Sequence, residues 1–354
     1  MATYDLVRNL PLEIESYELE GLKVEASPEF VRRTTVIHLH GGGHEGVGED
    51  VTYSGEDQEA LQAEGPTLPL PGSHTLDSFS QLLDRLALFP NGPGMDAFLD
   101  YRRWAYESAA LDLALRQAGT SLAAAVGRDP QPVNFVVSLR IENPPALDPI
   151  PRLLERYPKL RFKLDPTSEW DAKLVKALAE TGAVDTVDLK GAYKGTPVDQ
   201  AGDPLLYGLV AQAFPSAWIE DPDLNAETDV ILEPHRDRVT WDAPIHSVLD
   251  IKGLPFEPRT LNFKPSRFGS VQRLFEGYDY CAENEIAIYG GGQWELGPGR
   301  GHIQYLASLF HPSTPNDVAP AAFNIHRNDP PPGLPTSPLQ PQPSKIGFRW
   351  GEAP

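Results

Sequence analysis

Apolar and polar positions follow two rhythms along this chain, and the change falls near residue 130. Before it, residues 12–25 alternate loosely, and the run RRTTVIHLH from Arg32 to His40 has the β-branched content of a strand. A glycine turn follows at Gly41-Gly42-Gly43, then a second extended piece near Val47, which predicts an antiparallel hairpin or meander with a glycine-rich tip. Residues 61–74 are punctuated by proline and glycine and read as loop. Residues 75–89 and 96–118 read as helices. In the second, Trp104, Ala105, Ser108, Ala109, Leu111, Asp112 and Leu115 recur at helical spacing, several of them small enough for close packing.

After a Gly-Pro-rich linker at 127–132, short apolar strands alternate with helical segments. The strands are expected at 134–139, 160–164, 186–189, 217–219, 238–241, 260–263 and 285–289, with helices at 151–157, 169–179, 204–213, 224–233 and 270–283. Repeated β-then-α units require a parallel sheet. Seven such strands in series favour a closed barrel over an open sheet.

Composition narrows the function classes. The 354 residues exceed the usual single-domain range, and Asp+Glu 50 against Lys+Arg 30 gives a formal charge of −20. A nucleic-acid backbone or an anionic membrane surface would be repelled, so neither is expected as a partner. Clustered carboxylates could instead serve divalent cations. The single Cys281 excludes an intrachain disulfide and a thiolate zinc cluster. No basic segment with an apolar run opens the chain and no stretch approaches a membrane span, so the cytoplasm is the expected location.

What terminates the strands carries the chemistry. Phe162-Lys163-Leu164-Asp165, Val187-Asp188, Ile219-Glu220-Asp221-Pro222, Trp241-Asp242-Ala243-Pro244 and Asn262-Phe263-Lys264-Pro265 all place charge at a strand end. In a barrel these ends converge on the active-site face, so Asp188, Glu220 and Asp242 would point into one mouth. Three carboxylates there repel one another unless a hard cation such as Mg²⁺ joins them. Lys163 and Lys264 flank the three in sequence, and a lysine near a metal and another cation can have its pKa lowered enough to act as a base. The metal would stabilise the enediolate formed when a proton α to a carboxylate leaves. Any one of these residues alone is more often a cap or a solvated edge. Lys, Asp, Glu, Asp, Lys with gaps of 25, 32, 22 and 22 residues is far less easily fortuitous.

On these residues the chain resembles the enolase superfamily, in its muconate-lactonizing and o-succinylbenzoate synthase-like branch. Arg32 to Glu49 resembles the hairpin of that family's capping domain, and Tyr101 to Gly127 its closing helix. Gly290-Gly291-Gly292-Gln293-Trp294-Glu295 resembles the glycine-rich seventh-strand segment, and Lys345 to Trp350 the tail strand that returns to the cap. The resemblance implies an α/β fold, a modified (β/α)₇β TIM-like barrel with an N-terminal α+β capping domain. The cap would span 1–130 and the barrel 131–325, with a proline-rich tail at 326–354. It implies Asp188, Glu220 and Asp242 as ligands of Mg²⁺, with Mn²⁺ as the alternative ion, and Lys163 and Lys264 as the acid/base pair. Glu295, Glu49 and Tyr53 would shape or bind a small carboxylate substrate, and a homo-oligomer is compatible with the family. Arg267, three residues after Lys264, would reach a substrate carboxylate or tie down the following loop.

Three positions depart from the family pattern. Arg161 replaces the first lysine of Lys-x-Lys and keeps the charge but is a poor base. Lys190 stands where an asparagine often follows the first metal ligand, and would either weaken metal binding or anchor a second carboxylate. Ala243 removes a usual acidic partner of the sixth-strand lysine. The seventh-strand segment lacks the histidine of mandelate-type members, and residues 311–318 lack the Asp-x-Asp of dipeptide epimerases. Syn-elimination of the o-succinylbenzoate synthase type, cycloisomerisation and racemisation of an N-acylated amino acid remain as outcomes. The rival is an inactive member that binds a carboxylate or serves a structural role. His302 and His311 read as structural. His38, His40 and His44 would share one strand face only if the strand ran through the glycine turn.

Overall fold

The computed structural model describes residues 1–27, 30–141, 144–196, 198–326 and 329–351. Strand β1 (Pro11–Ile14) stands apart from a three-stranded antiparallel sheet of β2 (Ser16–Ser27), β3 (Phe30–Gly41) and β4 (His44–Asp50), with β3 in the centre. β1 pairs instead with β5 (Gly72–Thr75), also antiparallel. Alternation along the sheet buries Tyr17, Ile37 and Leu39 on the face toward the helix Ala97–Gln117. On the other face His38 bridges Glu20 and Glu45, at 3.2 and 2.9 Å. The long helix buries each of the seven residues expected from its spacing. It lies so close to β4 that side chains there would collide with it. A Cβ on Gly48 would stand 1.9 Å from the Ala105 carbonyl oxygen, and one on Gly46 2.3 Å from that of Ala109.

Residues 61–74 are not all loop. A helix occupies Gly55–Glu64, started by Ser54, whose hydroxyl accepts from the Asp57 backbone N–H. Its sequence has no apolar stripe, which is why periodicity misses it. It is held through buried Gln58, which donates to the Asp50 and Thr52 carbonyls and accepts from Thr35. The next helix is shorter than expected, Leu76–Leu83, behind a reciprocal Thr75–Ser78 capping box.

In the C-terminal region, β6 (Val137–Leu139), β7 (Phe162–Leu164), β8 (Val184–Asp188), β9 (Trp218–Glu220) and β10 (Val239–Thr240) form a parallel sheet in sequence order. β11 (Thr260–Phe263) and β12 (Ala287–Gly290) form a second parallel pair. The two are stitched into one ring. The Asn262 N–H reaches the Trp241 carbonyl at 3.0 Å, and parallel bridges Gly291–Asp317 and Phe135–Asn316 close the circle through residues 316–317. Eight staves in chain order make the expected TIM-like barrel.

The helix Pro298–Phe310, after the seventh stave, has no counterpart among the elements expected from sequence. Glycines at 299 and 301 hide it from propensity. Its start is secured from a distance: buried Glu49 on β4 accepts from the N–H groups of Leu296, Gly297 and Gly299. The tail comes back to the N-terminal region by isolated contacts rather than a strand. Phe348 N–H and Arg349 Nε donate to Asp112 on the long helix, and Gly347 bridges Ser121.

Candidate active site

The short strands of the barrel end in the residues that matter. Alternation puts Lys163, Asp188, Glu220 and Asn262 inside the ring, while Phe162, Leu164, Val187 and Ile219 pack outward into the helix layer. Asp242 follows β10 after one residue, Trp241, and Lys264 directly follows β11. Asp188, Glu220 and Asp242 are completely buried, and each offers a carboxylate oxygen within 4.8 Å of the other two. Among the described residues this is the one cluster of ligand side chains suited to a metal.

Cations and hydroxyls surround the three carboxylates. Lys163 Nζ is hydrogen-bonded to Glu220 Oε1 and lies 3.0 Å from Asp188 Oδ2. Glu220 also accepts from Tyr289 Oη at 2.5 Å and from Asn262 Nδ2 at 3.3 Å. Asp242 Oδ2 takes Lys264 Nζ and Tyr193 Oη, both at 2.7 Å. Asp242 Oδ1 lies 3.1 Å from Arg267 Nε, yet no aligned hydrogen bond satisfies it. Lys190 Nζ is hydrogen-bonded to Asp188 Oδ2.

Burial raises the cost of charge throughout the site, and the neighbours decide which groups remain ionised. Burial opposes ionisation of Glu220, Asp188 adds repulsion, and the carboxyl is pushed well above the usual range. At Asp242 burial works the same way but Arg267 and Lys264 outweigh it, so the carboxylate is held well below. Asp188 is likewise held down by Lys163 and Lys190 against its burial. Asp221 sits behind the triad, accepts from the N–H groups of Asp242 and Ala243, and is pushed up to about 7 by burial and by Asp242. The expectation of a lowered lysine is not met at Lys163. Burial does favour its neutral form, but Asp188 and Glu220 override it and hold the ammonium well above its ordinary value.

The donor set fits a hard divalent ion. All three candidate ligands offer oxygen, all are completely buried, and Asp242 Oδ1 is a buried acceptor without an aligned hydrogen bond.

The remaining expected residues divide. Arg267 is beside the triad, its Nη1 donating to the Ala243 carbonyl at 3.1 Å and its Nη2 to Tyr193 Oη at 3.1 Å, while Nε is ion-paired with Asp242 without an aligned hydrogen bond. Glu295 accepts from the Gln293 N–H at 2.6 Å and pairs with Arg300 at 3.0 Å. Tyr53 lies against the guanidinium of Arg32, 4.3 Å from ring centroid to Cζ, which ties it to the barrel because Arg32 also donates to the Gln293 carbonyl. Glu49 does not reach the mouth: its carboxylate is consumed by the start of the helix Pro298–Phe310. Arg161 is also displaced from the carboxylates. It precedes β7, pairs with Asp185, and lines an outer pocket with Asn134, Phe135, Ser216 and Trp218, all at the N-terminal ends of staves. A residue two positions before Lys163 shares its strand face but sits about two residue rises, or roughly 6–7 Å, nearer the opposite end of the barrel.

Tyr193, Tyr289 and Asn262 were not legible as site residues. Asn262 could have been found, since it lies two before Lys264 in the same strand register. Tyr193 lies in a loop and nothing in its local sequence points to Asp242.

The chain matches, over residues 5–125 and 129–325, the N-terminal and C-terminal domains of the family described as "Domain of unknown function (DUF8230)". It belongs to the DUF8230 family. This DUF8230 protein is also similar to the N-succinylamino acid racemase of Thermus thermophilus, at 27% identity over 88% of its own length and 87% of the relative's. It is 28% identical to the o-succinylbenzoate synthase of Bacillus subtilis over 60% of its length and 57% of that chain. Among solved structures it resembles a dipeptide epimerase from Methylococcus capsulatus complexed with Mg ion, with a TM-score of 0.66 at 19% identity, covering 86% of this chain and 89% of that one. The closed barrel with its N-terminal sheet domain is the fold of solved enolase-superfamily members, among them one from Listeria innocua with a TM-score of 0.64 at 20% identity, covering 88% of this chain and 86% of that one, as the strand-end residues led one to expect.

Proposed function

We propose that the protein is a Mg²⁺-dependent enzyme that removes the proton α to a carboxylate of a small substrate, with Lys163 and Lys264 as the acid/base pair. One observation carries this reading: the two lysines stand on the second and sixth staves of an eight-stave ring, diametrically opposed across the buried triad. A divalent ion held by Asp188, Glu220 and Asp242 would supply the positive charge that makes the enediolate accessible and would weaken the hold of Asp188 and Glu220 on the Lys163 ammonium. The chain's own residues do the rest. Lys163 Nζ, as the free amine, takes the α-proton on one face, and Lys264 Nζ serves the other. Arg267 and Tyr193 hold Asp242 in place beside Lys264.

Opposed lysines suit racemisation, in which the proton leaves one face and returns to the other. Syn-elimination and cycloisomerisation use the same first step. The Thermus relative's name favours an N-acylated amino acid as substrate and the Bacillus relative's name favours elimination. An inactive carboxylate-binding member would have no need of the full assembled set, and nothing in the site favours that reading.

The test is α-proton exchange in D₂O with Mg²⁺, followed by NMR over a panel of N-acyl amino acids, dipeptides and succinylbenzoate precursors. Exchange that disappears on chelation and in Lys163→Ala is the expected result. No exchange on the whole panel together with no Mg²⁺ affinity sinks the proposal.

A further inference from the structure

Lys190 is the cation the proposed chemistry does not use, and its surroundings give it a task. Its backbone adopts φ 55°, a left-handed conformation uncommon for a lysine, so the loop after β8 bends to bring it back over the site. The ammonium bonds Asp188 Oδ2, the oxygen that Lys163 Nζ also occupies at 3.0 Å. Asp188 Oδ2 is therefore crowded by two ammonium groups, and Asp188 Oδ1 accepts the Lys190 backbone N–H at 3.2 Å.

On the far side of the ammonium lies Asp165, just beyond β7. Its side chain is mostly buried and its Oδ1 has no hydrogen-bond donor, although Lys190 Nζ is only 3.9 Å away. An unsatisfied buried carboxylate oxygen is costly, so this is a second seat for the same ammonium. A shift of about 1 Å brings Nζ to bonding distance of Asp165 Oδ1.

Resting on the metal-dependent reading above, we propose that Lys190 and a divalent ion compete for Asp188, and that Asp165 receives the Lys190 ammonium when the ion displaces it. Lys190 is thus a positioning residue that sets metal affinity. Losing it frees an oxygen ligand and removes a repelling charge. Losing Asp165 strands the ammonium on Asp188 and makes the ion harder to bind. The two effects are coupled, because Asp165 matters mainly through Lys190.

The experiment is calorimetric titration of the full chain with Mg²⁺ alone, without substrate, in the wild type, Lys190→Met, Lys190→Asn, Asp165→Asn and the Lys190→Met/Asp165→Asn double variant. Asparagine tolerates the left-handed backbone and guards against a folding defect in the methionine variant. Both Lys190 variants are expected to bind Mg²⁺ about tenfold tighter, a change of about 1.4 kcal/mol. Asp165→Asn is expected to weaken binding about fivefold in the wild-type background and less than about twofold in the Lys190→Met background. Unchanged or weaker binding in both Lys190 variants, or an equal Asp165→Asn effect in the two backgrounds, overturns the inference. If the wild type and Asp242→Asn alike show no Mg²⁺ affinity, the metal-dependent reading itself falls instead.

Discussion

Lys264 Nζ lies 2.7 Å from Asp242 Oδ2 on one side of the triad, while Lys163 Nζ, on the other, lies 3.0 Å from Asp188 Oδ2. The two lysines therefore stand on different sides of the space between them, and under the proposed mechanism their loss should not look alike.

For a racemised substrate, Lys163→Ala should abolish exchange with one enantiomer while single-face exchange with the other survives, and Lys264→Ala should show the mirror-image pattern. The affected enantiomer should lose about 10²–10⁴-fold in rate. Deuterium incorporation measured separately for each enantiomer checks this. Equal loss from both enantiomers in both variants would refute the division of faces.

Glu49 should matter for stability rather than for substrate selection. Its carboxylate is buried and satisfies three N–H groups at the start of the helix Pro298–Phe310, that of Gly299 fully buried and those of Leu296 and Gly297 partly so. Glu49→Ala leaves them bare and should destabilise the protein by about 2–4 kcal/mol. Urea unfolding measures the loss, with KM for any confirmed substrate changed little.

Acid should destabilise the fold through two histidines. Burial lowers the pKa of His302, stacked on Phe348, to about 4, and that of His311, beside Asn316, also to about 4, against 6.5 in the unfolded chain. A depressed base is neutral when folded, so the unfolded state binds more protons between these values. Stability is intact above pH 6.5 and falls as pH drops toward 4. At pH 5 each histidine costs about 2 kcal/mol. His302→Gln should remove about half of that loss in urea midpoints compared at pH 7 and pH 5, and an unchanged slope would contradict it.

The formal charge of −20 should make stability rise with salt. Self-repulsion between surface carboxylates opposes the compact state, and screening relieves it once the Debye length falls from about 10 Å at 0.1 M salt to about 3 Å at 1 M. The thermal midpoint should climb across that range. A flat or falling midpoint would show that paired surface charges already cancel the repulsion.

The ring of strand-end charges was legible because a barrel imposes one geometry on every stave: a residue at a strand end is a residue at the mouth. That logic carries Lys163, Asp188, Glu220, Asp242 and Lys264 to one place without knowledge of any contact. It fails where position along the strand decides, as with Arg161, which shares a face with Lys163 but faces the far opening. It fails again where the partner is remote in sequence. Tyr193 meets Asp242, Lys190 meets Asp165, and the glycine-laden helix at 298–310 depends on Glu49 from the first fifty residues. Local propensity holds no trace of these pairings, because each becomes favourable only when the barrel has closed.

Glu49 also bears on how a substrate gets in. A carboxylate anchored on one domain and spent on the helix ends of the other works as a rivet. Swinging the whole N-terminal region aside would break the three hydrogen bonds of buried Glu49 and strip Arg32 from the Gln293 carbonyl as well. Admission to the triad is thereby left to single side chains and short loops around the mouth, and the two halves of the chain are committed to act as one body.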